Sequence, residues 1–457
     1  MYELRSMNNT QETLQFLDSL IDYEKITTYP YDAMKLERMR TLLSALGNPQ
    51  NAFQSVHVAG SRGKGSTCAM VYQMLREAGF SVGLYTSPHL ISRRERIRIS
   101  KRGRGERMIL DEESVSLIMK VKPVIERLSP SGPFTFFEVF TALSFLFFKE
   151  EGIEIAVVEV GMGGRLDATN LMHPLVAAIT PISFDHMDKL GTTLAAIACE
   201  KAQILKKDAA AVISHQEPEA LSEIRKVAKG IPVDWVEVPS QYSYRILEKS
   251  ETGTRFFVRG PEEEWSDLFL PLLGEHQVQN ALVAIAICEA LSKKGVRLSH
   301  EAIRRGLSQV DWPGRFQILE RDPALIVDGA QNGASAAVLK NTFLDFFEDQ
   351  PLVLILGISA DKEIDAVCKT LCPLAKTVIV TRAQTVRALD AEALKRHVSS
   401  YSSDLQTAPS VQEALTLARA RVGTDGVILV TGSLYLVGEV LELLAYSVER
   451  IGKQTIR

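Results

Sequence analysis

Long apolar runs are missing from this 457-residue chain. The longest, Val139–Phe148, covers about 10 residues, and a helix needs roughly 20 to cross a bilayer. No membrane partner is therefore expected. Cysteine is scarce: five residues, at 68, 199, 288, 368 and 372, odd in number and without a C-x-x-C pair. That excludes a disulfide framework and suits reduced thiols in the cytoplasm. A large excess of charge of either sign is also lacking. The formal net charge is −4, which gives no bulk attraction to nucleic acid, so none is expected as a partner. There is no low-complexity segment and no repeat of solenoid or collagen period. The first residues, with Glu3, Arg5 and Asn8, lack the apolar core of a secretory signal. What remains is ordinary globular composition, 46% hydrophobic and 24% charged, at a length suited to two or three domains.

Short apolar runs alternate with helical patterns. Ser55–Ala59, Ser81–Tyr85, Ile153–Val160, Leu175–Thr180 and Ala210–Ser214 read as buried strands. Thr67–Ala78, Leu194–Lys206 and Val278–Lys294 read as helices. This order argues for a mostly parallel sheet with helices on both faces. Between them, Val233–Glu264 is polar and alternates with period two over Tyr244–Leu247 and Arg255–Arg259, which predicts an antiparallel excursion. Asp311-Trp-Pro-Gly-Arg315 breaks any element and is the best boundary. Beyond it the alternation restarts, with strands at Leu325–Val327, Leu352–Leu356, Thr377–Thr381 and Val427–Thr431. Helices are expected at about Ala334–Phe347, Ile364–Leu371, Ala391–His397, Val411–Val422 and Leu434–Ala445. The expected architecture is α/β: a large N-terminal phosphate-loop domain, 1–310, and a smaller Rossmann-like domain, 311–457.

The strongest motif is His57-Val-Ala-Gly-Ser-Arg-Gly-Lys-Gly-Ser-Thr67. A buried strand runs into Gly60, Gly63, Lys64, Gly65 and Ser66, and a helix follows. Glycines let successive N–H groups turn toward phosphate oxygens, and the helix N-terminus adds positive potential. Lys64 suits terminal phosphates, and Ser66 offers a hydroxyl to phosphate or Mg²⁺. The spacing G-x-x-G-K-G-S is shorter than the usual phosphate loop. Glu159 ends one predicted strand and Asp185-His186 follows the next, so both gather at the sheet edge where ligands bind. Glu159 is a natural Mg²⁺ ligand. His186 reads equally as a ligand or as a satisfied loop histidine. Lys201, taken alone, reads as a solvated helical lysine.

Further segments complete a pattern: Thr86-Ser-Pro-His-Leu90, Glu95-Arg-Ile-Arg-Ile99, Thr135-Phe-Phe-Glu138, Val158-Glu-Val-Gly-Met-Gly-Gly-Arg-Leu-Asp-Ala-Thr-Asn170, Glu200-Lys-Ala202, Gly274-Glu-His-Gln-Val-Gln-Asn-Ala281, Pro313-Gly-Arg315, Val327-Asp-Gly-Ala-Gln-Asn332 and Thr431-Gly-Ser-Leu434. In this order, over nearly the whole chain, they resemble the folylpolyglutamate synthase and dihydrofolate synthase family of the Mur ligase superfamily. The resemblance implies a ligase that joins L-glutamate to a pterin acid through an acyl phosphate at the expense of ATP. It implies both activities, with dihydropteroate and reduced folates as substrates, in a cytoplasmic monomer. The runner-up readings are polyglutamate synthesis alone or a cell-wall Mur-type ligase. The latter carries an extra N-terminal domain, and only about 55 residues precede the phosphate strand here.

The resemblance also implies roles. Ser87, Glu159 and His186 match metal ligands for two Mg²⁺ ions. Lys201 matches a lysine carried as a carbamate, which with Lys64 and His186 makes the catalytic set. Asn280, Arg315 and Asp328 match ATP contacts. Thr135, Phe137, Leu166, Asp167 and Ala168 match a pterin pocket, the reading preferred over Phe137 as core and Asp167-Ala-Thr-Asn170 as a capping turn. Arg62, Gln203 and Gln331 depart from the family's usual Asn, Gly and His.

Overall fold

A computed structural model describes residues 12–13, 15–26, 31, 34–129 and 132–445. Glu3, Arg5 and Asn8 lie outside the described residues. Among these residues the strands form three sheets.

The largest sheet takes β1 (Gln54–Ala59), β2 (Val82–Tyr85), β3 (Ile97–Lys101), β4 (Gly105–Met108), β5 (Ile155–Glu159), β6 (Val176–Ile179), β7 (Ala210–Ile213) and β8 (Asp234–Glu237) in the order β4-β3-β2-β5-β1-β6-β7-β8. β1 pairs in parallel with β5 and β6, while β3 and β4 form an antiparallel edge. The central strands β5, β6 and β7 are buried along their whole length, because helices cover both faces. The helix Lys64–Glu77 packs on one face with the helix Glu275–Lys293. The helix Phe136–Glu150 packs on the other. That helix contains the longest apolar run, and twelve of its residues are buried. No described helix is long and apolar enough to cross a membrane.

The antiparallel excursion is a separate three-stranded sheet of β9 (Ser243–Ser250), β10 (Gly253–Arg259) and β11 (Glu264–Leu270). It begins later than Val233, because Asp234–Glu237 pairs in parallel with β7 and belongs to the main sheet.

The last sheet takes β12 (Gln317–Arg321), β13 (Ala324–Val327), β14 (Leu352–Leu356), β15 (Ala375–Val380), β16 (Leu405–Thr407) and β17 (Val427–Thr431) in the order β12-β13-β17-β14-β15-β16. Only β12 is antiparallel. Apolar clusters fill both faces of this sheet. The carboxyl ends of β1, β5 and β6 in the first sheet and of β13 in the last open onto one cleft.

Candidate active site

The phosphate loop leaves β1 at Gly60. A Cβ there would lie 1.9 Å from Oγ1 of Thr180, and one at Gly63, where φ is +80°, would lie 2.4 Å from Oδ1 of Asn280. Both positions are closed to any side chain. The N–H groups of Ser61 and Arg62 donate to Pro181 O, which ties the loop to the end of β6. The helix starts at Lys64, three residues before the predicted start, with Gly63 as N-cap. The residues expected as loop therefore supply its first turn. Thr67 is the first to use its N–H within the helix, so those of Lys64, Gly65 and Ser66 are left for an anion. Gly63, Lys64, Gly65 and Ser66 line a cavity of about 300 Å³. Gly60 lies just behind them and accepts from Nζ of Lys64 at 3.1 Å and of Lys201 at 2.8 Å.

Lys201 is not the solvated lysine its helical setting suggests. Its side chain is 3% exposed, and burial, with Lys64 beside it, pushes its pKa down to about 7. A near-neutral amine is what reaction with CO₂ requires.

Glu159 ends β5, is 5% exposed, and accepts the Ser87 N–H on Oε2 at 3.1 Å. Burial raises its pKa, and Lys64, the Ser87 N–H and Arg315 oppose that. His186 sits in the left-handed region at φ 50°, with Nε2 3.7 Å from Oδ1 of Asp185. Burial pushes its pKa down to about 4, so its imidazole is neutral at pH 7. Glu159, Ser87 and His186 all line the cavity. Among the described residues no three His, Cys, Asp or Glu side chains cluster as a ready metal cage. One carboxylate with a hydroxyl nearby fits Mg²⁺, which keeps waters and takes its other ligands from phosphates.

The last sheet supplies the opposite wall. Asp328 follows β13 and accepts from the N–H groups of Phe316 at 2.9 Å and Ala330 at 2.8 Å. Arg315 lies in the connecting turn, and its charge acts on both Asp328 and Glu159. Asn280, on the helix Glu275–Lys293, donates to Oε1 of Gln277 at 3.0 Å. All three line the same cavity as the phosphate loop.

A neighbouring cavity of about 150 Å³ shares Ser87, Pro88, Gly161 and His186 and adds Phe137 and Asp167. Phe137 packs over Gly161, where a Cβ would come within 2.4 Å of its ring. Asp167 accepts from the N–H groups of Met162 and Thr169 at 2.9 and 3.0 Å, so the capping turn is present as well. Thr135, Leu166 and Ala168 are not among the residues lining this cavity. The Thr135 hydroxyl is spent on a capping box with Glu138, and Ala168 packs into the core. Sequence reasoning assigned no role to Glu24, Asp185, His276 or Lys362, which also line the two cavities. Lys362 comes from the last domain's loop after β14 and lies 3.6 Å from Asp185. Spacing carries no signal for such a pair. His276 and Asp185 lay in quoted motifs.

A glycine-built loop shares its cavity with the carboxyl edge of a second α/β sheet, and the family models that match the two parts are those of the Mur ligases. Residues 58–288 match the Mur ligase middle domain and residues 314–434 the Mur ligase glutamate ligase domain. The Bacillus subtilis dihydrofolate synthase/folylpolyglutamate synthase is 33% identical over 90% of this chain and 94% of its own length. The structure of Mycobacterium tuberculosis folylpolyglutamate synthase complexed with ADP superposes with a TM-score of 0.87 at 32% identity, covering 96% of this chain and 98% of that one. A probable bifunctional folylpolyglutamate synthase/dihydropteroate synthase from Haloferax volcanii is 36% identical over 92% of this chain, but this chain spans only 50% of its length. The chain belongs to the folylpolyglutamate synthase and dihydrofolate synthase family.

Proposed function

We propose that this protein is an ATP-dependent ligase that joins L-glutamate to a pterin acid, acting both on dihydropteroate and on reduced folates. The observation that carries the reading is the single cleft in which the phosphate loop, Glu159, Arg315 and Asp328 meet, with Lys201 buried behind the loop against Gly60 O. In this reading residues 1–310 hold the phosphates and the pterin, and 311–457 close over them. Its setting is the cytoplasm, as a monomer without nucleic acid.

A carboxylate does not condense with an amine in water, because oxide is a poor leaving group. Phosphorylation by ATP turns it into a leaving phosphate, and the glutamate amine then displaces that phosphate to give the amide. Such transfer depends on positioning and charge neutralisation. Lys64, the free N–H groups of the loop and Arg315 supply both. Asn280 and Asp328 hold the nucleotide. Glu159, with Ser87 and His186, would hold two Mg²⁺ ions, whose charge neutralises phosphate oxygens. Lys201 adds CO₂ as its neutral amine and releases a proton, which converts a cation into an oxygen-donor anion. Its burial and its pKa of about 7 support this. Phe137 offers a flat surface to the pterin, and Asp167 accepts its N–H groups.

That Thr135, Leu166 and Ala168 lie off the cavity favours one rival, polyglutamate synthesis alone. Incubation with ATP, Mg²⁺, glutamate and either dihydropteroate or tetrahydrofolate, with products read by mass, separates the readings. Both acids should gain glutamate. Extension of tetrahydrofolate without any dihydrofolate product leaves polyglutamate synthesis alone, and no product from either ends the proposal.

A further inference from the structure

His57 stands in the strand that feeds the phosphate loop, yet the chemistry above makes no use of it. Its side chain is fully buried in a central strand of the main sheet. Nε2 lies 2.7 Å from Oγ1 of Thr169, and that hydroxyl donates to Oδ1 of Asp167. Asp167 lines the smaller cavity. Three side chains thus form one chain of hydrogen bonds from the centre of the sheet to the cavity wall.

The direction of the chain follows from counting protons. A hydroxyl carries one. Asp167 already accepts Thr169 N–H on Oδ1 and Met162 N–H on Oδ2; burial raises its pKa, and these hydrogen bonds oppose that rise by favouring the ionised carboxylate. With the Thr169 proton directed at Asp167, the proton between Thr169 and His57 belongs to Nε2. Nδ1 is then bare, and it is buried without a hydrogen-bond partner. Burial, with Lys206 nearby, pushes the ring's pKa down to about 3, so it stays neutral. An unpaired buried nitrogen is unfavourable, and an aliphatic residue would suit a buried strand without it. What histidine adds here is the donor to Thr169.

We propose that His57 and Thr169 are positioning residues for pterin recognition, fixing the rotation of the Asp167 carboxylate at the wall of the cavity. The inference rests on the reading of Asp167 as a pterin contact and extends it to two residues that the substrate does not touch.

The test uses the full-length enzyme with ATP and glutamate saturating and dihydropteroate varied. Thr169→Val should raise the KM for dihydropteroate about tenfold, with kcat and the KM for ATP within about twofold. Thr169→Ser keeps the hydroxyl and should restore the parent value. Independently, His57→Leu should raise the same KM by about threefold or more, and His57→Gln, which keeps an N–H donor, should recover part of that loss. An unchanged dihydropteroate KM in both Thr169→Val and His57→Leu overturns the proposal. So does an equal rise in the KM for ATP, which would mark a general disturbance of β1 and the loop that follows it. Asp167→Ala, run alongside, separates the two levels. If it leaves the dihydropteroate KM unchanged, the pterin reading of Asp167 itself fails. If it raises that KM while the Thr169 and His57 variants do not, only the positioning chain fails.

Discussion

The two ends of the cleft are built in different ways. The phosphate end is a run of consecutive residues, Gly60–Ser66, at one strand–helix junction. The other end, where the proposed reading seats the pterin acid, collects Glu24, Phe137, Asp167, Gln331 and Lys362 from separate elements between residues 24 and 362. In the proposed reading phosphate is gripped by main-chain N–H groups, so what the chain must provide is a curl of backbone with no side chains in the way. Gly60 and Gly63 are sterically required for that, and Gly60 also lends its carbonyl to Lys64 and Lys201. At the acid end recognition needs side chains, and each of them also has a structural task. Phe137 packs on Gly161, Asp167 caps a turn, and Thr135 is wholly occupied as a helix cap. A site made of backbone is written in one stretch of sequence, whereas a site made of borrowed side chains is not.

Variants can break this comparison at either end. The largest effect belongs to the phosphate end. Lys64→Ala should cut ATP-dependent turnover by about a hundredfold or more, since it removes a cation aimed at transferring phosphate. Melting should barely change, because Lys64 is only half-buried and makes a single bond within its own loop. Normal ADP release by this variant would move the phosphate grip elsewhere.

The acid end should respond less sharply and more selectively. Asp167→Ala removes a buried charged acceptor worth about 1.5–3 kcal/mol, or roughly one to two decades in affinity. Steady-state kinetics should show that rise in the KM for dihydropteroate, a smaller one for tetrahydrofolate, and none for ATP. The loss of its cap should also lower stability by about 1 kcal/mol, a coupling absent at Lys64. Equal rises for both acids would mean that they share one pterin seat.

The last effect concerns Lys201, and it depends on pH. Its pKa is about 7 in the fold, against 10.5 for an exposed lysine. Between those values the unfolded chain holds a proton that the folded chain does not, so stability rises with pH across this window. Below pH 7 both states are protonated and the penalty of burying the charge is constant. In CO₂-free buffer the parent should therefore melt below Lys201→Met by the widest margin at pH 7 and under, with the gap narrowing toward pH 10. A gap that stays flat over that range would mean a solvated lysine.

Much of the fold was legible from pattern alone. Leu352–Leu356 and Val427–Thr431 are strands over the expected residues, as Ile364–Leu371 is a helix, because continuous apolar runs flanked by breakers have few other uses in an α/β chain. The strands that went unread, β3, β4, β11, β12 and β16, lie toward the sheet edges, and all but β16 mix charged with apolar residues. All of them but β3 bury less than the central strands, so little forces their composition. Asp234–Glu237 was assigned to the wrong sheet for the same reason: its exposed and half-buried residues do not state which neighbour they pair with.

The sequence by itself determined the glycine-built loop between β1 and its helix, the alternation that yields two α/β sheets, and the lack of helix or strand over Asp311–Arg315. These depend on local conformational freedom and on periodicity. Tertiary structure alone decided that Lys201 is buried against Gly60 O, that Lys362 reaches Asp185 across the cleft, that Thr135 turns away from the cavity, and that His57 stands behind Asp167. Burial, charge state and hydrogen-bond direction depend on what packs against a residue from elsewhere in the chain, and spacing along the sequence does not carry that information.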